Sequence, residues 1–108
     1  MPVRAYIDAM RGLGERAAGR GLRAEALEYA AKVRRLTDAD STLQPLLAGR
    51  ALAAAGSIHA KLGDRESARN LLRRSLEVFT GIETEPGREP GKGLREQIRR
   101  VTGNLERI

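Results

Sequence analysis

Displaced by 42 residues, the sequence falls on itself at its smallest side chains. Ala9 meets Ala51, Gly14 meets Gly56, Ala18 meets Ala60, Gly21 meets Gly63, Arg23 meets Arg65 and Ala26 meets Ala68. Self-similarity at one fixed period is the mark of a chain built from stacked supersecondary units, because no unit can bury its apolar face alone. In each copy a helical pattern stops at glycine, at Gly19 to Gly21 and again at Gly63, and a second helical pattern starts at once. Each copy is therefore a helical hairpin, the first over residues 3–40 and the second over 42–82.

The apolar spacings agree with that division. Ala68, Leu71, Leu72, Ser75, Leu76 and Phe79 keep the three- and four-residue steps of one helix face, while Arg65, Arg69 and Arg73 mark another. Ala26, Tyr29, Ala30, Val33 and Thr37 are the corresponding positions of the first copy. The leading helices carry stripes through Ile7, Met10, Leu13 and Ala17, and through Leu47, Leu52, Ala55 and Ile58. Asp40, Ser41 and Thr42 are N-cap residue types ahead of the third helix, where Pro45 fits only in the first turn, and Asp64 caps the fourth after the Gly63 stop.

Glycine inside a helix costs about 1 kcal/mol relative to alanine. Gly56 in a leading helix and Ala68 in the returning one are both small, so two antiparallel helices can approach where larger side chains would hold them apart. Close contact is the expected compensation.

The second copy resembles a tetratricopeptide repeat, a pattern with an aromatic, then Leu-Gly, then Tyr, then Ala-x3-Phe and a Pro. Leu52, Ala55-Gly56, His59, Ala68 and Leu72 stand in those places, with Thr80 at the usual proline. The first copy offers Met10, Leu13-Gly14, Ala17, Ala26, Ala30 and Asp38, matching at small positions and not at the large aromatic ones. A period longer than the family's usual ~34 residues is similar to the long-helix repeats of kinesin light chains and of bacterial repeat regulators. The resemblance implies an all-α fold of two antiparallel hairpins stacked as an α-solenoid, in a single domain over 1–108.

Beyond Phe79, "GIETEPGREPGKG" mixes glycine and proline with charge and reads as a loop over residues 81–91. Leu94, Ile98, Val101, Leu105 and Ile108 then form a narrow stripe on a last helix, 92–108, that caps the exposed face of the second hairpin. Solenoids generally need three or more repeats. With two, Tyr6, Ile7, Met10 and Leu13 stand at an N-terminal edge that a second copy or a partner is expected to cover, with the last helix as another route to self-association.

There is no cysteine, which excludes disulfide scaffolds, thiolate metal sites and cysteine nucleophiles. The longest uncharged run, Ala51 to Ala60, has ten residues, far below the ~20 of a membrane span. "MPVRAYIDAM" carries Arg4 and Asp8 and lacks the apolar core of a signal peptide, so the expected setting is the cytoplasm.

Catalytic constellations are not in evidence. His59 is the sole histidine, without a second His or Cys to complete a metal site, and it stands where the family packs a tyrosine. The acidic pairs Asp38 with Asp40, and Glu25 with Glu28, fall at helix ends or on charged faces. "GLGERAAGRG" lacks the preceding strand and the Lys-Ser/Thr pair of a phosphate loop. The chain reads as no enzyme, with no catalytic residue, metal or cofactor.

Binding by shape remains. The resemblance implies a concave groove lined by the leading helices, which takes an extended peptide or a partner helix. The residues placed there are Asp8, Arg11 and Glu15 from the first leading helix, and Arg50, Ala53, Ala54, Ser57 and Lys61 from the second. A net charge of +6 supports a second reading, a basic module that binds nucleic acid or another polyanion through Arg65, Arg69, Arg73 and Arg74. Against it, no segment is a basic tail: the excess is spread at +2, +3 and +1 over 1–40, 41–82 and 83–108.

Overall fold

The computed structural model describes residues 2–38, 43–83 and 92–108. Among them the chain is all-α: α1 (Val3–Gly19), α2 (Arg23–Arg35), α3 (Pro45–Lys61), α4 (Arg65–Glu83) and α5 (Lys92–Arg107), with no strand.

The two turns repeat in atomic detail. Gly21 and Gly63, 42 residues apart, take positive φ of 77° and 79°. At the first turn Leu22 N–H bonds back to Ala17 O and Gly21 N–H to Ala18 O. At the second, Asp64 N–H bonds to His59 O and Gly63 N–H to Ala60 O. Both are Schellman ends, in which a left-handed residue satisfies the last carbonyls of a helix and reverses the chain. Asp64 then takes the N-cap position of α4, its carbonyl accepting from Ala68 N–H.

The seam of the second hairpin runs antiparallel, as its pairings show. Gly49 faces the Phe79 ring and Gly56 faces Leu72, so a seven-residue advance along α3 matches a seven-residue retreat along α4. A Cβ built on Gly56 would stand 2.8 Å from Leu72 Cγ and 3.5 Å from the Ala68 carbonyl oxygen, the close approach expected of that pair. Gly14 has a different neighbour. Its missing Cβ makes room for Ile58 of α3, so this glycine joins the first hairpin to the second.

Helix α3 lies at the centre, against α1, α2, α4 and α5. Gly49, Ala51, Leu52, Ala54, Ala55, Gly56 and Ile58 are all buried along its length, which explains why it is rich in alanine: only small side chains fit where neighbours close in on several sides. One cluster joins Ala17, Ala26, Ala30, Leu52, Ala55 and Ile58; a second joins Ile7, Val33, Ala51 and Ala54; a third joins Leu72, Phe79, Ile82, Leu94 and Val101.

Several expectations are corrected. Leu13 is 37% exposed and Gly14 takes its place in the α1 stripe, because the face turned to α3 is centred one residue further on. Ile7, expected at an open edge, is 1% exposed beneath Val33, Ala51 and Ala54. Helix α4 continues through Gly81 to Glu83, since Ile82 extends the Phe79 stripe and packs near Leu94 and Val101; the rest of the expected loop, 84–91, lies outside the described residues. Asp40, Ser41 and Thr42 also lie outside them, and α3 starts from Gln44 as N-cap with Pro45 in the first turn and no side-chain cap bond. No described helix is long and apolar enough to cross a membrane.

Candidate functional site

Helices α1, α3 and α5 enclose a groove. Its centre is formed by Arg11 from α1, Ser57 from α3, and Arg100 and Asn104 from α5, which line two adjoining cavities. The larger holds about 650 Å³ and extends over Glu15, Ala60 and Lys61 towards Arg65 and Arg107. The smaller, about 20 Å³, lies among Asp8, Arg50, Ala53, Gln97 and Val101.

Each placement follows from helix periodicity. Arg50, Ala53, Ser57 and Lys61 advance by three or four residues along one strip of α3, half-buried at Arg50, Ala53 and Ser57 and exposed at Lys61. Asp8, Arg11 and Glu15 do the same on α1. All of the expected groove residues come together here except Ala54, which is 1% exposed inside the core with Ile7 and Val33. That correction has a simple cause: Ala54 lies a full helical step away from the Ala53 strip, on a side that α1 and α2 cover.

Four polar residues of α5, Gln97, Arg100, Asn104 and Arg107, belong to the same site and were not among those expected. Gln97, Arg100 and Asn104 step along α5 beside Val101, so docking its apolar stripe on α4 turns them towards α3. Their three- and four-residue spacing is visible in the sequence. What was not visible is which flank of the capping helix would face the groove.

The groove is electropositive and poorly compensated. Among the described residues the ion pairs are Lys32 with Glu28 at 3.9 Å and His59 with Asp64 at 3.1 Å, so none of Arg11, Arg50, Lys61 and Arg100 has a carboxylate at salt-bridge distance. Burial lowers the pKa of Arg50, repulsion from Arg4, Arg11 and Arg100 lowers it further, and Asp8 partly opposes the shift. Arginine stays charged at neutral pH regardless. The shift marks first the partial burial of this guanidinium, and second the positive charge gathered near it, beside the Ala53 and Ser57 floor.

The expected basic face is divided. Arg65 turns to the groove, whereas Arg73 and Arg74 line a separate cavity with Arg34 and His59. His59 shares its Nδ1 hydrogen bond with Asp64 Oδ2, tying the end of α3 to the start of α4.

No family model, curated protein or solved structure gives a significant match to this chain.

Proposed function

We propose that the chain is a noncatalytic protein-interaction module of the tetratricopeptide-repeat kind, working in the cytoplasm, whose groove between α1, α3 and α5 binds an extended acidic segment of a partner protein. The observation that carries this reading is the convergence of Arg11, Arg50, Lys61 and Arg100, none paired with a carboxylate among the described residues, around a floor of Ala53 and Ser57. Small floor residues let a backbone lie close, and the flanking cations meet carboxylates at intervals along it. Ser57, Gln97 and Asn104 supply neutral hydrogen-bonding groups for peptide amides. The hairpins related by 42 residues and their matched glycine turns support the family reading.

Each exposed ion pair contributes only about 0–1 kcal/mol, so affinity must come from several together with apolar contact. A fluorescent peptide of alternating glutamate and glycine is a suitable probe. Reversing two groove charges, Arg11→Glu with Arg100→Glu, or Arg50→Glu with Lys61→Glu, is expected to weaken binding at least tenfold, roughly 1.4 kcal/mol. Arg73→Glu with Arg74→Glu alters the net charge equally and should leave binding nearly unchanged. With circular dichroism confirming the folds, equal losses in all three variants would reject the groove in favour of nonspecific attraction.

A further inference from the structure

The cavity beside His59 has a chemistry of its own. It holds about 550 Å³ between the end of α2, the end of α3 and the middle of α4, and shares no lining residue with the groove. That volume is within the usual range of small-molecule sites, about 300–1,000 Å³. We infer that this cavity is a binding site for a nucleoside polyphosphate.

Three guanidinium groups, those of Arg34, Arg73 and Arg74, line the cavity against one carboxylate, Glu77, and none of the three is in an ion pair among the described residues. Arg73 and Arg74 are consecutive in α4, and Arg34 comes from the last turn of α2. Such a concentration of charge over one small volume suits a chain of phosphates more than carboxylates spaced along a peptide. Guanidinium matches phosphate oxygens in two-point hydrogen bonds.

The remaining lining suits a base and sugar. Leu71, 5% exposed, leaves a small apolar edge at the floor of the cavity. The Asn70 amide and the Ser67 hydroxyl line the cavity, and neither has a hydrogen-bond partner among the described residues, so both are available to polar edges of a ligand. His59 is held by Asp64 through Nδ1, which fixes the ring and leaves Nε2 without a partner among the described residues. A partly buried ring fixed in this way is preorganised for contact with a planar base or with a phosphate.

This inference does not rest on the peptide-binding reading, and its test separates the two. Isothermal titration of the full chain with ATP, tripolyphosphate, adenosine and a short single-stranded RNA compares the parts of the ligand. ATP is expected to bind more tightly than either tripolyphosphate or adenosine. Arg73→Glu with Arg74→Glu, on the exposed side of α4, should weaken ATP about tenfold or more. The groove variant Arg11→Glu with Arg100→Glu should leave ATP binding intact, and Asn70→Leu should reduce ATP affinity while sparing tripolyphosphate. No ATP binding at about 1 mM overturns the site. Equal affinity for ATP and tripolyphosphate overturns the nucleoside part, and RNA binding more tightly than ATP and lost in the same arginine variant replaces the small ligand with nucleic acid.

Discussion

The Ser75 hydroxyl donates a 2.7 Å hydrogen bond to the Gly49 carbonyl oxygen across the buried seam of α3 and α4. The bond depends on the glycine at its acceptor end. Without a Cβ at position 49 the Phe79 ring lies against the α3 backbone, and α4 comes close enough for a serine to reach a main-chain oxygen.

Gly49→Ala is therefore expected to destabilise. The added Cβ would stand 2.5 Å from Phe79 Cε1 and 2.8 Å from Cζ, and a packed ring cannot retreat as a surface side chain can. Overpacking costs about 1–3 kcal/mol, which outweighs the ~1 kcal/mol that alanine gains by helix propensity. Thermal melts should show a lower Tm for Gly49→Ala, partly recovered by Phe79→Leu in the same chain. Ser75→Ala removes the hydrogen bond alone and should cost about 1 kcal/mol.

The helix glycines should separate by neighbour. Gly56→Leu is expected to be among the most damaging single changes, several kcal/mol at or above the ~1–3 kcal/mol of ordinary overpacking, because Leu72 and the Ala68 backbone block the site. Gly12→Ala should go the other way. Its nearest atom is the flexible Arg16 tip at 3.8 Å, so the change should stabilise by up to ~1 kcal/mol through helix propensity. Urea titration of the two variants measures both signs; a Gly56→Leu chain as stable as the parent would remove the close-approach account.

The two turn glycines should behave alike. Among the described residues neither Gly21 nor Gly63 has anything within 4 Å of an added Cβ, so only their positive φ resists substitution. Alanine at either should cost about 1–2 kcal/mol, and asparagine, which tolerates the left-handed region, should cost less. Equal losses in Gly21→Ala and Gly63→Ala, read by chemical denaturation, check that the hairpins turn by one device.

Asp8 opposes the positive charge around Arg50. Asp8→Asn should therefore strengthen binding of the glutamate-glycine probe, by a modest factor in keeping with the ~0–1 kcal/mol of an exposed charge interaction. The gain should shrink as salt is raised, because screening weakens the field that the substitution increases. Fluorescence anisotropy at low and high ionic strength measures both effects; weaker binding for Asp8→Asn would mean that this carboxylate holds the site in shape.

These contrasts also show what the sequence could disclose. Helix number, the hairpin turns and the Gly56 contact were legible because each depends on local pattern or on a glycine whose cost demands a neighbour. Leu13 and Ala54 were misplaced for two related reasons. A stripe gives the direction a helix faces to within about a residue, and Ala suits a crowded core as well as a shallow groove floor, so alanine does not report its own surroundings. Gly49 gave no repeat signal, since its counterpart one period earlier is Ile7. Arg100 and Asn104 entered the site only through the docking of α5, a long-range relation that spacing along one helix does not contain.

The central position of α3 bears on how the molecule comes apart. Leu52, Ala55 and Ile58 belong to one cluster, Ala51 and Ala54 to another, and Ala53 packs against a third. Repeat arrays in general can fray from one end, because each unit touches only its neighbours. Here one helix is a member of every core, so loosening either hairpin exposes side chains that the other also needs. Its amide protons should exchange with solvent last and together, at the rate set by global opening. The chain is then a single cooperative unit made from repeated parts, and a partner held along α3 would stabilise the whole of it at once.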